Sequence, residues 1–155
     1  MEIYKNPISL FKQTNFSKTI WWKLKVNISG YQNETEDKLV TEIFKNRIFR
    51  LIYPNIYQHN HNFSRILIQL YEDGYVCWIN LDGLIIEKYE LGKTENLKKE
   101  LFSIKDKVNS ILKWIRDQAD ITNEYLWGGT LGPNYDCSGL IQTAFLKHNI
   151  HIPRD

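Results

Sequence analysis

The sequence predicts an α+β chain: a small β-barrel followed by helices. From Ile20 to about Tyr89, apolar and polar residues alternate in short runs, which is the period of half-buried strands. After Glu90 the apolar period becomes that of a helix face. Near the end, Asp136-Cys137-Ser138-Gly139 stands just ahead of a second helical pattern and marks candidate chemistry. The expected organisation is an N-terminal extension over residues 1–19, a barrel over 20–90 and a helical domain over 91–155.

The strands follow in order. Leu24, Val26 and Ile28 alternate with Lys25 and Asn27. Ser29-Gly30 and the polar run from Gln32 to Lys38 read as a turn and an exposed loop. Leu39 to Phe44 and Ile48 to Ile52 are short strands, and Pro54 to Asn62 is a polar loop carrying His59 and His61. Ile66, Ile68 and Leu70 alternate again, Glu72-Asp73-Gly74 is a tight turn, and Tyr75 to Leu81 returns as a strand. Several short strands within this stretch predict a small closed barrel, because closure hides strand edges.

The helices come next. Leu97, Leu101, Ile104, Val108, Ile111, Leu112 and Ile115 fall on one face of a helix expected over Glu95 to Gln118, with Thr94 as its N-cap and its stripe packed in a core. Gly128-Gly129 and Gly132-Pro133-Asn134 are turn chemistry. From Ser138 onward, Leu140, Ile141, Ala144, Phe145 and His148 share a helical face, and Asn149 sits where a helix ends.

Composition excludes several classes of partner. The 155 residues carry 20 basic and 18 acidic side chains, a net charge of +2, which is too balanced for nucleic acid or an anionic membrane as the main partner. No window has the apolar length of a bilayer span, and Met1 to Ser17 lacks the apolar core of a signal peptide, so a cytoplasmic location is expected. The two cysteines differ in surroundings and predict no disulfide: Cys77 reads as a small buried strand residue. His59 and His61 form a pair without a third ligand, so neither a metal nor another cofactor is expected.

Cys137 is the candidate nucleophile. Thiolate, not thiol, attacks a carbonyl, and the first turn of a helix favours negative charge through its unpaired N–H groups. The same groups can receive an oxyanion. Gly139 keeps the neighbouring position slim for a substrate backbone. Asp136 is too acidic to take the thiol proton and is suited to holding a cationic group. Taken alone, Cys137 also reads as a structural cysteine at a helix start; its neighbours decide against that.

Tyr125-Leu126-Trp127-Gly128-Gly129, then Asp136-Cys137-Ser138-Gly139-Leu140-Ile141-Gln142, then Ile152-Pro153-Arg154 closely resembles the NlpC/P60 cysteine peptidases over about thirty contiguous residues. The form is most similar to the γ-D-glutamyl-L-diamino acid endopeptidases, which place an SH3b barrel ahead of a papain-like catalytic domain. Asn149 departs from the family, which usually has glycine there. The resemblance implies Cys137 as nucleophile, with Asp136 and Ser138 at the amino end of a murein peptide such as L-Ala-γ-D-Glu-diamino acid. It also implies an SH3b tyrosine reaching that pocket; Tyr75 matches best, and packing within the barrel is its alternative role. Tyr125 and Trp127 read as wall residues, and Arg154 as fixing the loop after the helix or as a surface cation.

The family mechanism needs a histidine in a later strand. His148 lies 11 residues along the helix, roughly 16 Å from Cys137 at 1.5 Å per residue, and His151 is farther still. The general-base histidine is therefore expected to be absent from these residues, together with the catalytic sheet. The expectation is an N-terminal portion, inactive alone, with Leu140, Ile141, Ala144 and Phe145 forming an exposed patch and a complementing C-terminal fragment as a partner; the alternative is a non-catalytic SH3b module that binds wall peptides, or the remnant of a degraded peptidase gene.

Overall fold

The computed structural model describes residues 3–11, 20–52, 64–90 and 104–154. Eight strands form one sheet: β1 (Ile3–Lys5), β2 (Trp21–Leu24), β3 (Ile28–Tyr31), β4 (Leu39–Ile43), β5 (Ile48–Leu51), β6 (Arg65–Leu70), β7 (Val76–Asn80) and β8 (Ile85–Tyr89). Helix α1 (Ile8–Phe11) is one turn, α2 spans Ile104–Ala119 and α3 spans Cys137–Leu146. The strand order is β1-β8-β2-β5-β6-β7-β3-β4, with every pair antiparallel. None of the described helices is long and apolar enough to cross a membrane.

The alternation read from the sequence is the burial pattern of the sheet. Ile66, Ile68 and Leu70 of β6 pack with Cys77 and Ile79 of β7, Trp22 and Leu24 of β2, Phe49 of β5 and Ile86 of β8. The run Leu24 to Ile28, expected as one strand, is broken at residues 25–27, and the chain turns there from β2 into β3. Residues 3–11 belong to this unit: β1 pairs with β8, and Phe11 reaches the core and meets Trp22 edge-on, with ring centroids 5.9 Å apart. Gly74 and Asn46 supply the left-handed corners (φ 72° and 74°) of the β6–β7 and β4–β5 turns.

The expected closed barrel is not what the pairing shows. The sheet is open, and its two edges are β1 and β4, which are not paired with each other. The β4 edge is covered instead by the loop that leads into α3. Thr130 Oγ1 donates to the Glu42 carbonyl at 2.6 Å, and the Thr130 and Leu131 N–H groups donate to Glu42 Oε2 at 2.9 and 2.8 Å. A covered edge needs no barrel closure to be protected.

Two buried arginines hold the loops of the sheet. Arg65 donates to Asn80 Oδ1, to the Glu36 carbonyl and to Asp37, and its guanidinium lies 3.7 Å from the centre of the Tyr31 ring. Arg47 pairs with Glu72 at 3.3 Å and Asp73 at 2.7 Å in the β6–β7 turn. Asp73 Oδ2 also accepts from Gln142 Nε2 of α3 at 3.0 Å, so this turn ties the sheet to α3.

Helix α2 begins, among the described residues, at Ile104; the expected cap at Thr94 and the positions Leu97 and Leu101 lie outside the described residues. Its apolar stripe is packed only in part. Ile111 is buried, whereas Val108 and Leu112 are exposed. Helical spacing fixes which residues share a face but not whether a partner covers the whole of it. α2 is held to the α3 region by Trp114 against Tyr135, with centroids 6.2 Å apart, and by Lys107 Nζ donating to the His148 carbonyl at 2.8 Å.

Candidate active site

Helix α3 starts where the sequence places it because Asp136 is an N-cap. Its backbone is extended (φ −89°, ψ 175°), and its Oδ1 accepts from the Gly139 N–H at 2.6 Å. Cys137 is therefore the first helical residue, and it is exposed. The cap takes the Gly139 N–H and leaves those of Cys137 and Ser138 without a hydrogen bond among the described residues. A thiol and two free backbone donors thus meet at one helix start. That arrangement can present a nucleophile and receive a developing oxyanion.

Asp136 itself is buried and fully engaged. Oδ1 also accepts from Ser138 Oγ at 3.2 Å; Oδ2 accepts from the Gly128 N–H at 2.7 Å and from Arg154 Nη2. The cation facing this carboxylate is the chain's own Arg154, whose side chain is 5% exposed. Arg154 is thus a clamp on the cap rather than a surface cation. Its other terminal nitrogen, Nη1, has no hydrogen-bond partner among the described residues.

The loop before the cap is closed on itself and on the sheet. Tyr125 and Tyr135 form an isolated parallel bridge, the Gly129 N–H donates to the Leu126 carbonyl at 2.9 Å, and the Asp136 N–H donates to the Gly129 carbonyl at 3.3 Å. Gly128 sits at φ +78°, and a Cβ there would stand 2.9 Å from the Val40 carbonyl carbon of β4. The slim position at Gly139 serves this same packing. A Cβ there would collide with the Gly129 carbonyl oxygen and stand 3.0 Å from Arg154 Nη1. Thr143 Oγ1 of α3 donates to the Thr130 carbonyl at 2.7 Å and completes the contact. The Tyr135 phenol is pushed above its usual range, first by burial and then by the Glu42 carboxylate.

The other sequence candidates fall around this centre in different ways. Ile141, one turn beyond Cys137, is 41% exposed, and Tyr125 and Trp127 are 66% and 61% exposed, so an apolar surface lies open on this segment. The patch expected on α3 is divided. Ile141 is open, Leu140 and Phe145 are half-buried, and Ala144 is fully buried. Tyr75 follows the β6–β7 turn, partly buried against the sheet core, two residues from the Asp73 that binds Gln142. A recess between sheet and helix is lined by Arg47, Asp73, Gln142 and His151 and does not include Cys137. His148 Nδ1 lies 2.8 Å from the Ala144 carbonyl, with its backbone beyond the end of α3, and His151 is exposed. Asn149 takes the left-handed conformation (φ 57°) that ends the helix. His59 and His61 lie outside the described residues, among which no group of three or more His, Cys, Asp or Glu is placed to hold a metal.

The two cysteines are chemically opposite. Burial pushes the Cys77 thiol from an ordinary 9.0 up to about 12, with Asp73 adding to the shift and Arg47 opposing it. In the folded protein at pH 8, iodoacetamide should modify Cys137 alone, and Cys77 only after denaturation; mass mapping reads both sites. The linkage has a definite sign. The unfolded chain releases the Cys77 proton near 9, whereas the folded chain retains it up to about 12. This stabilisation is complete below pH 9 and is lost at up to about 1.4 kcal/mol per pH unit as pH rises toward 12.

Glu42, the Gln142 contact with Asp73 and the burial of Arg154 are the parts of the site that sequence reasoning did not find. Glu42 is 88 positions from Thr130, and nothing local to it signals that contact.

Comparison with known proteins finds a similarity that covers this segment. The NlpC/P60 family profile matches residues 122–155, the segment that carries Asp136, Cys137, Ser138 and Arg154. A γ-D-glutamyl-L-lysine dipeptidyl-peptidase of Bacillus cereus is 52% identical over 31 residues, 20% of this chain and 9% of that protein. The match thus spans about a tenth of the curated relative's length. The structure of NlpC2 from Trichomonas vaginalis overlaps 87% of this chain and 43% of its own, at 17% identity and a TM-score of 0.31. The segment around Cys137 is thus similar to the NlpC/P60 family.

Proposed function

We propose that this chain is the nucleophile-bearing part of a cysteine endopeptidase of cell-wall peptides, one that cleaves the amide between γ-D-glutamate and a diamino acid. The observation that carries the proposal is Cys137, exposed on the first residue of α3 inside the matched segment. The name of the Bacillus relative, which specifies a γ-D-glutamyl-L-lysine bond, supports the substrate class. Cys137 Sγ attacks the amide carbonyl, a thioester forms, and the C–N bond breaks as the amine leaves with a proton; water then hydrolyses the thioester and restores the thiol. The Cys137 and Ser138 N–H groups face the oxyanion. Ser138 and Tyr75 border the amino end of the peptide, and Asp136 acts there by fixing the helix start. In this reading the open sheet of β1 to β8 takes the substrate-side role of a module ahead of the nucleophile.

The proton acceptor in this reading is a histidine outside these 155 residues, supplied by further chain or by a complementing fragment. The supporting geometry is that Cys137 opens α3 while His148 lies past its other end at Leu146, and the helix between them is roughly 14 Å long, beyond any hydrogen bond. The test is hydrolysis of L-Ala-γ-D-Glu-diaminopimelate by the protein joined to, or co-expressed with, a histidine-bearing strand segment. Cleavage should appear only with that segment and vanish in Cys137→Ala. Cleavage that survives Cys137→Ala sinks the proposal. Peptide binding without cleavage, with Cys137 alkylated no faster than a free cysteine, would assign the chain to a binding module instead.

A further inference from the structure

We propose that Glu42, on the β4 edge of the sheet, is a positioning residue for Cys137. The inference rests on Cys137 being the nucleophile and adds a role for the sheet: it sets the geometry of the nucleophile's helix. A continuous set of contacts joins the two residues. Glu42 Oε2 accepts from both the Thr130 and Leu131 N–H groups, and the Glu42 carbonyl accepts the Thr130 hydroxyl. The Thr130 carbonyl accepts from Thr143 on α3, and the Gly129 carbonyl packs on Gly139 in the helix's first turn. Gly128, backed against Val40 of the same edge strand, donates to the Asp136 carboxylate that caps α3 immediately before Cys137. Every link is a hydrogen bond or a contact with no room for a side chain, so a shift at Glu42 is passed on rather than absorbed.

Two features make Glu42 the point of leverage. Both amide bonds end on one carboxylate oxygen, where charge strengthens each. The same residue's edge-strand carbonyl accepts the Thr130 hydroxyl, beside that of Thr41 at 3.2 Å, so backbone and side chain of Glu42 hold one loop. A residue that served only the edge would need neither the second amide nor the tie through Thr130 to α3.

The test measures amide exchange and thiol alkylation in the full chain, and neither readout depends on peptidase activity. In Glu42→Ala, exchange at Thr130 and Leu131 should rise by about tenfold or more, with a smaller rise of roughly threefold carried to Gly128 and Gly139. The Ile66 and Ile79 amides of the central strands should be unchanged. Glu42→Gln should restore most of the protection, because one carboxamide oxygen can accept both N–H groups. Alkylation of Cys137 by iodoacetamide should exceed that of a free cysteine in the parent and fall to that rate in Glu42→Ala. Should Glu42→Ala fail to fold, Thr130→Val removes only the hydroxyl bond and should carry the same pattern at lower amplitude. Faster exchange confined to β4, with Gly128, Gly139 and Cys137 unmoved, overturns the proposal. A parent thiol already no faster than free cysteine removes the nucleophile reading, and the exchange pattern still decides whether Glu42 holds the helix.

Discussion

Asp136→Ala is expected to cost about 4 kcal/mol of stability, toward the lower end for breaking one buried ion pair and one helix cap together. The side chain is buried, and its two oxygens receive the N–H groups of Gly128 and Gly139, the Ser138 hydroxyl and the Arg154 guanidinium. Removing it leaves a buried arginine charge without its counterion and two backbone donors without acceptors, and unpaired buried groups cost far more than a paired group contributes. Arg154→Ala should cost less, about 2 kcal/mol, because Asp136 would keep its two backbone donors and lose only the cation. The ordering matters more than either value. A cap that acts mainly through the helix start makes Asp136 the larger loss; a site that acts mainly through the ion pair makes the two losses equal. Urea unfolding of the two variants and the double variant measures this ordering and the coupling between them. An Asp136→Ala loss below about 1 kcal/mol would mean that the cap is not built as described.

The part of this site that was legible in the sequence is the part made by neighbours in sequence. Asp136 before Cys137 announces a cap and a helix start, and Asn149 announces its end, because both preferences arise from the backbone next to the residue. The alternation of Ile66, Ile68 and Leu70 is likewise local and gives β6 with its correct face. What was not legible depends on partners far along the chain. β1 joins β8 across about eighty residues, so no local signal shows that residues 3–5 extend the sheet. Barrel closure is a property of which edges meet, and strand patterns alone do not carry it. Here the β4 edge meets a loop through Glu42, whose sequence neighbourhood is that of any strand glutamate. Arg154 shows the same limit at shorter range: the Pro-Arg pair is visible, but its burial against Asp136 follows only once α3 has turned the chain back.

Gly139→Ala sets two principles against each other. Gly139 lies inside α3 with ordinary helical backbone, where alanine is the better helix former by about 1 kcal/mol. Judged on propensity alone, the substitution should stabilise the protein. Room decides otherwise. The added Cβ would be driven into the Gly129 carbonyl oxygen, a backbone atom that cannot rotate away, and would stand 3.0 Å from both Arg154 Nη1 and Asp136 Oδ1. Relief requires the loop and the helix start to separate, and separation pulls apart the Gly128 and Gly139 bonds to Asp136 and the Thr143 bond to Thr130 together. The expected result is a net loss of about 3 kcal/mol or more, at or beyond the usual range for overpacking, because backbone rather than side chain must move. With a slope of roughly 1–3 kcal/mol per molar urea, the midpoint falls by about 1 M or more. The consequence for Cys137 is separable from that for stability. If the variant still folds in the cold, its Cys137 should alkylate at the rate of a free cysteine while Cys77 stays protected in the sheet core, since the strain lies at the helix start and not among the strands. A stability gain near that of helix propensity would instead show that the glycine pair leaves room for a methyl group, and the tight seat of α3 on the loop would have to be given up.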